Sequence, residues 1–332
     1  MNCKKRIVLI NREGARNFNM NVIDSKTIAL AATFVEWIDA MEEAMSVSLS
    51  GEYIMPQRLH LDQGKNTFLV MPCIAGEYWV TKLVSFCPDN TVSGIPSIYG
   101  TIVLSRTGTG EPLAVMEGGD ITALRTAAVS ALGIKYLAPE NATTLGIVGT
   151  GSQGIQQARF ACTVRDIRQV TVFDRSERSI SRFLDAFKAD FPAIRVRVAK
   201  NAEQLCSETE IIITATNSND PVFPDRSVLF EGKTFVGIGS YKPDCREYPD
   251  SFFRQIDQIF VDTIHGKKES GDLLYPIRHR LIPESNICPL GSLIVGTVAL
   301  SAKPTRFYKT VGSALFDLYA AKLIYEKTYG SL

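Results

Sequence analysis

Gly149-Thr150-Gly151-Ser152-Gln153-Gly154, followed twenty residues after the last glycine by Asp174, has the residue types and spacing to hold a dinucleotide. In a strand–turn–helix setting the first glycine permits the tight turn, the second lets the backbone approach a pyrophosphate, and the third lets helix pack on strand. The phosphates then lie at the positive end of the helix. Thr144-Leu145-Gly146-Ile147-Val148 is short, apolar and partly β-branched, and Gln156 to Ala161 reads as helix, so the setting is the required one. The next strand, Val170 to Phe173, ends at Asp174, where a carboxylate accepts hydrogen bonds from the adenosine ribose hydroxyls. The other role open to Asp174 is a cap on the helix starting near Ser176-Glu177. Its charge repels a 2′-phosphate while Arg175 and Ser176 would welcome one, a balance that favours NAD(H), with NADP(H) the alternative.

Such a fold leaves the reaction open. Three cations upstream are candidates for it: Arg58 in a strand, Lys82 flanked by Val80, Leu83 and Val84, and Arg125 in the first turns of a helix after Asp120. A guanidinium beside a helix N-terminus is unfavourable unless an anion sits there too. Each cation alone is compatible with a snorkelling or ion-paired charge. Together, the arginines can bind a carboxylate bidentately and leave the lysine near a reacting carbon or nitrogen.

The elements that must position these residues fall into two patterns. An amphipathic helix is expected over Ile28 to Ser48, with a cap in Ser25-Lys26-Thr27, then antiparallel strands at Arg58 to Leu61, Thr67 to Met71, Tyr78 to Phe86, Tyr99 to Leu104 and Leu113 to Glu117. Thr107 to Gly110 makes a turn between the last two. Asp120 is expected to cap a helix from Ile121 to Leu137, stopped by Pro139. Strands near 145–148, 170–173, 194–198, 210–215, 234–238 and 258–262 then alternate with helices, the mark of parallel βαβ units. A last helix is expected from Val311 to Lys327. The fold class is therefore α/β: a Rossmann dinucleotide-binding domain with a doubly wound parallel sheet over 121–312, and an α+β domain over 1–120 plus 313–332.

The chain resembles the ornithine cyclodeaminase and mu-crystallin family over nearly its full length. Arg58, Met71-Pro72, Lys82, Thr107-Gly108 to Pro112-Leu113-Ala114-Val115-Met116, Thr122 to Ala128, Gly149 to Gln153, Thr216, Gly239 to Glu247 and Thr310-Val311-Gly312 look like its signature blocks, in order. The resemblance implies a homodimer whose N-terminal sheet, joined by the C-terminal helix, forms the dimer interface and the substrate wall. It implies that Arg58, Lys82 and Arg125 surround a substrate carboxylate. Thr126, Ser152, Gln153, Asp174 and Thr216 would contact a nicotinamide cofactor, with Thr310 and Val311 near the nicotinamide. Met71, with Met55 and Tyr99, is a pocket-lining candidate.

One position departs from the cyclodeaminases of that family, which carry an aspartate two residues before the proline of Tyr241-Lys242-Pro243. A phenol, ordinarily titrating near about 10, does not replace a carboxylate base near neutrality. Tyr241 either marks a different chemistry or packs on the nicotinamide, and its surroundings look more like those of mu-crystallin, a ketimine reductase. The expected reaction is NAD(P)H-dependent reduction of a small cyclic imino acid, with Arg58 and Arg125 orienting the carboxylate, Lys82 supplying the proton, and Tyr241 the fourth catalytic candidate. An ornithine or lysine cyclodeaminase, an amino-acid dehydrogenase and a non-enzymatic nucleotide-binding protein are the competitors.

Thirty-six basic against 35 acidic residues leave a net charge of +1, which argues against a nucleic-acid partner held by bulk charge. The apolar run Ile7 to Ile10 is too short for a signal peptide or a membrane span, and is expected to be a first strand of a soluble, cytoplasmic protein. Seven scattered cysteines without a CxxC pair and three histidines in no ligand spacing predict buried thiols and no metal.

Overall fold

The structure is a computed structural model that describes residues 20–332, so the strand expected at Ile7 to Ile10 lies outside the described residues. The chain divides into two units, one running up to Arg125 and taking in Ser313–Leu332, the other spanning Thr126–Gly312.

The first unit contains β1 (Asn21–Ile23), α1 (Ser25–Ala31), α2 (Phe34–Ser50), β2 (Leu59–Gln63), β3 (Asn66–Ala75), β4 (Tyr78–Phe86), β5 (Ile98–Arg106) and β6 (Pro112–Glu117). Its sheet runs in the order β1-β6-β5-β4-β3-β2. All neighbours are antiparallel except β1, which pairs parallel with β6. The single helix expected from Ile28 to Ser48 is two, because Thr33 and Glu36 close a reciprocal capping box that restarts the helix after Ala32. The first cap is Asp24, whose side chain accepts from the Thr27 N–H. Helix α3 (Gly118–Leu137) starts three residues before the expected Ile121; the Glu117 carboxylate accepts from the backbone N–H groups of Gly119 and Asp120. At its other end the Arg165 guanidinium donates to the carbonyls of Ile134, Lys135, Ala138 and Pro139, so a distant cation caps a helix whose local stop signal is Pro139.

The second unit contains β7 (Thr144–Val148), α4 (Ser152–Val164), β8 (Gln169–Phe173), α5 (Glu177–Asp190), β9 (Arg195–Val198), α6 (Ala202–Glu208), β10 (Ile211–Thr214), β11 (Thr234–Gly237), α7 (Asp250–Phe253), β12 (Ile259–Val261), α8 (Gly271–Arg278), β13 (Ile287–Pro289), α9 (Leu290–Ile294) and β14 (Arg306–Lys309). All eight strands are parallel, in the order β13-β12-β14-β11-β10-β7-β8-β9. The winding reverses between β7 and β10, the switch point where such sheets bind ligands. Strands β13 and β14 were not expected: one has three residues, and the other brackets Phe307-Tyr308 with charges. An aromatic cluster of Phe223, Phe230, Phe235, Tyr248, Phe252 and Phe307 fills this unit's core under β11 and β14.

The chain returns to the first unit as α10 (Ala314–Tyr329), N-capped by Ser313 rather than starting at Val311. It packs on β3, β4, β5 and α2. Met71, Cys73, Val80, Lys82, Ile102 and Leu104 form the buried sheet face toward it. Of the described cysteines, all free, Cys73 and Cys206 are buried and the other four only partly so.

Candidate active site

The cofactor candidates are built by the turn after β7. Gly149 has φ +96°, and a Cβ there would lie 2.5 Å from the Ala215 carbonyl oxygen. A Cβ on Gly154 would collide with the Gly149 carbonyl, so this glycine lets α4 pack on the turn. A Cβ on Gly151, in contrast, would meet nothing within 4 Å. Gly151 is also the N-cap of α4 and has no side-chain cap, so the first N–H groups of that helix are left for an outside acceptor. Three glycines therefore do three different jobs, and Gly151 is the one that leaves open space in front of the helix N-terminus.

A cavity of about 470 Å³ opens beside this turn, lined by Gly149, Gly151, Asp174, Arg175, Thr216 and Asn217 among others. The Asp174 carboxylate accepts from the Thr150 N–H (2.7 Å) and hydroxyl (3.0 Å) through one oxygen, and from the Ser176 N–H (2.8 Å) through the other. It ties the glycine turn to the end of β8, while Ser176 itself is the N-cap of α5. Arg175 and Ser152 are exposed. Gln153 accepts from Gln157 one helical turn on (3.3 Å).

Thr216 is held by a carboxylate whose role sequence reasoning missed. Glu247 is fully buried; one of its oxygens accepts from the Thr216 N–H (2.9 Å) and hydroxyl (2.7 Å), the other from the Thr214 hydroxyl (2.8 Å) and the Gly239 N–H (2.9 Å). The ends of β10 and β11 are clamped together by that one group. Asp272, behind it, accepts from the Glu247 and Tyr248 N–H groups, and Lys309 lies 3.6 Å from its second oxygen. Burial pushes the Asp272 carboxyl up to about 7 against the pull of Lys309. The other expected cofactor loop is organised likewise: Asp262 accepts from the Thr310 hydroxyl (2.6 Å) and from the N–H groups of Val311 and Gly312. Thr126, the residue after Arg125 in α3, is buried.

Among the cations, Lys82 and Arg125 come together and Arg58 lies within electrostatic range of Lys82. Arg58 immediately precedes β2 instead of lying in the strand. Met71 sits directly across from Lys82 in the β3–β4 register and is buried. Lys82 is 2 % exposed, and its ammonium lies 2.9 and 2.8 Å from the two oxygens of Asp317, donating also to the Thr122 hydroxyl (3.3 Å). Arg125 is the eighth residue of α3, deep in the helix rather than at its mouth, and donates from Nε to Asp317 (3.0 Å). The anion demanded by a buried guanidinium is thus supplied by α10. The terminal amino groups of Arg125 make no hydrogen bond among the described residues. Burial pulls the Lys82 ammonium down to about 8; Asp317 raises it, and Arg125 and Arg58 lower it. Burial pushes the Asp317 carboxyl up, but Lys82 and Arg125 outweigh it and hold the group below its ordinary value.

Asp317 was not anticipated from the sequence. The signal was present: it is the sole charge between Ala314 and Ala321, an isolated carboxylate in an otherwise uncharged turn of helix. Tyr241 belongs to the second unit, in the loop after β11. It is 43 % exposed, the Lys242 ammonium lies 5.7 Å from its ring centre, and burial, then Cys245 and Asp244, raise its phenol further above neutrality.

A parallel sheet with this strand order, a switch-point cavity and a glycine turn open at its second glycine define a dinucleotide-binding protein of the Rossmann class. The chain belongs to the ornithine cyclodeaminase/mu-crystallin family, which it matches over residues 20–331. It is 35 % identical over 331 residues to a delta(1)-pyrroline-2-carboxylate reductase of Bacillus cereus, covering 97 % of this chain and 96 % of the relative. It is 32 % identical over 260 residues to the ketimine reductase mu-crystallin of Mus musculus, covering 77 % and 79 %. Among solved structures it resembles the delta(1)-pyrroline-2-carboxylate reductase of Thermococcus litoralis in complex with NADH and L-proline, with a TM-score of 0.87 and 30 % identity over 92 % of this chain and 97 % of that one.

Proposed function

We propose that the chain is an NAD(H)-dependent oxidoreductase that reduces a small cyclic imino acid, such as pyrroline-2-carboxylate or piperideine-2-carboxylate, to the cyclic amino acid. The observation that carries this reading is the buried pair of Lys82 and Arg125 on one carboxylate, with the terminal amino groups of Arg125 left over. A buried cation in excess of its counter-charge is costly unless a ligand completes it. A planar fork of two N–H donors matches a carboxylate. The names of the relatives point to the same substrate class.

In this reading the unit with the six-stranded sheet binds substrate and the other binds cofactor. Gly149, Gly151, Ser152, Gln153 and Gly154 would hold the pyrophosphate, and Asp174, which accepts from three protein donors, would accept from the ribose hydroxyls with its remaining lone pairs. Arg175 is the residue through which NADP(H) would be accommodated. Thr126, Thr216, Thr310 and Val311 flank the cofactor, the last three on loops that Glu247 and Asp262 hold in place. When bound, the reduced nicotinamide supplies a hydride. Arg58 and Arg125 orient the substrate carboxylate, and Met71 packs beside it. Lys82 donates a proton from Nζ to the imine nitrogen as the C=N carbon gains the hydride, so the double bond becomes C–N and the lysine regains its proton from solvent. An ammonium lowered to about 8 still holds its proton near neutrality yet gives it up readily. Tyr241, a neutral phenol, donates hydrogen bonds and does not act as a base, which favours reduction over cyclodeamination.

The first unit also leaves Leu61, Phe68, Leu83 and Tyr99 exposed along an apolar groove of about 420 Å³ on the sheet face opposite Lys82. An apolar patch of this kind is where a second copy would pack, giving the homodimer of the resemblance. Among the described residues no helix is long and apolar enough to cross a membrane, and the free cysteines suit a reducing, cytoplasmic compartment. The test is a spectrophotometric panel with both reduced cofactors, several cyclic imino acids, ornithine, lysine and alanine. Net NADH oxidation with a cyclic imino acid is expected. Ammonia release from ornithine without net NADH change would replace the reading by cyclodeamination, and nucleotide binding without turnover would remove the enzyme.

A further inference from the structure

We infer that Asp317 is a positioning residue for this reduction: its charge keeps Lys82 protonated, and its hold on Arg125 Nε keeps both outer amino groups of that arginine available to the substrate carboxylate. The inference rests on the proposed function and adds to it a group that acts only through two others.

The charged groups facing Lys82 can be named element by element. Asp317 approaches from α10, Arg125 from α3, and Arg58 from the segment before β2. Cys73 on β3 is a neutral thiol, pushed up to about 12 by burial and by Asp317, and the Thr122 hydroxyl on α3 is neutral. Of these groups only Asp317 favours the ammonium. Burial, Arg125 and Arg58 all favour its loss. Asp317 has no exposed surface, so water does not screen its effect. Without its charge the balance at Lys82 reverses, and a lysine that has lost its proton has none to donate. The same carboxylate fixes the guanidinium at Nε, the one nitrogen a bidentate end-on carboxylate does not need. A merely structural ion pair would staple α10 to β4 and α3, and would leave the titration of Lys82 irrelevant to turnover.

The test is Asp317→Asn, which keeps the shape and removes the charge. The Lys82 signal is followed by NMR on lysine labelled at Cε, assigned by its absence in Lys82→Met. In Asp317→Asn it is expected to titrate at least about one pH unit lower than in the wild type. The basic limb of kcat/KM for the cyclic imino acid is expected to move down with it, while NADH affinity stays within about twofold. A folded Asp317→Asn with an unmoved Lys82 titration would overturn the inference. If that variant does not fold, Asp317→Glu carries the test. It retains the charge but displaces the carboxylate, so Lys82 is expected to titrate as in the wild type, while the affinity for L-proline falls by about tenfold. Unchanged proline affinity in a folded Asp317→Glu overturns the role at Arg125. Should the wild-type protein reduce no cyclic imino acid, the proposed function fails, and the Lys82 titration and proline affinity still decide the role of Asp317.

Discussion

Each unit buries a cluster of three charged side chains, and the two clusters are opposite in sign. The first unit sets Lys82 and Arg125 around Asp317, two cations on one anion. The second sets Glu247 and Asp272 near Lys309, two anions with one cation. Their surplus charge is answered differently. In the second unit backbone N–H groups of Thr216, Gly239, Glu247 and Tyr248 bond both Glu247 oxygens and one Asp272 oxygen, and the result is a clamp on the strand ends; the second Asp272 oxygen and the Lys309 ammonium, 3.6 Å apart, face each other without a hydrogen bond. In the first unit the outer amino groups of Arg125 have no such answer among the described residues. A carboxylate cluster answered mainly by backbone N–H groups builds a clamp, whereas a guanidinium end turned away from its counter-ion offers a fork of donors to an outside anion.

The comparison is broken most severely by Lys82→Met. It is expected to reduce turnover of the cyclic imino acid about 10³-fold, as loss of a general acid does. NADH binding, followed by cofactor fluorescence, is expected to be unchanged. In the unmutated enzyme, kcat/KM should be flat below and fall about tenfold per pH unit above the Lys82 value near 8, since the acid form is the active one. A profile that rises through that region would remove Lys82 as the donor.

Glu247→Gln attacks the other cluster. Each Glu247 oxygen accepts from one backbone N–H that can only donate, so the amide NH2 must face Thr216 N–H or Gly239 N–H, and NADH affinity is expected to drop by about one to two orders of magnitude, with KM for the imino acid little changed. Cofactor titration alongside steady-state kinetics checks that split. Asp174→Ser is expected to weaken NADH about tenfold and to narrow its lead over NADPH. Tyr241→Asp should raise ammonia release from ornithine if that position decides the chemistry; no gain in a variant that still binds NAD would remove Tyr241 from the explanation.

The smallest effect concerns stability, where the clusters should respond to pH in opposite directions. Asp317 is held below its unfolded value, so its contribution is present above about 4 and is lost as pH falls through the lower folded value. Asp272 is raised to about 7, so between about 4 and 7 the folded state holds a proton that the unfolded state has released, and local stability declines as pH rises through that window. Hydrogen exchange of α10 amides against those of Glu247 and Tyr248, corrected for intrinsic rates, should show the divergence, and parallel behaviour would contradict it.

Local signals made much of the fold legible. The glycine spacing, the strand before it and the acid after it describe interactions within some thirty residues, and the ends of β4 match the run read from Tyr78 to Phe86. The boundary of α2 was harder because Thr33 and Glu36 restart a helix inside one continuous apolar pattern. Strands β13 and β14 escaped because their support comes from neighbours far away in sequence.

What the sequence by itself determined is the class of cofactor and the identity of the cations, because backbone conformation at a glycine and the charge of a side chain are properties of the residues themselves. Which charges pair was decided only by the tertiary structure. Asp317 stands 235 residues from Lys82 and 192 from Arg125, and no spacing rule links them. Packing of α10 on β4 removes water from that meeting point, and only there does one carboxylate decide how a lysine and an arginine behave.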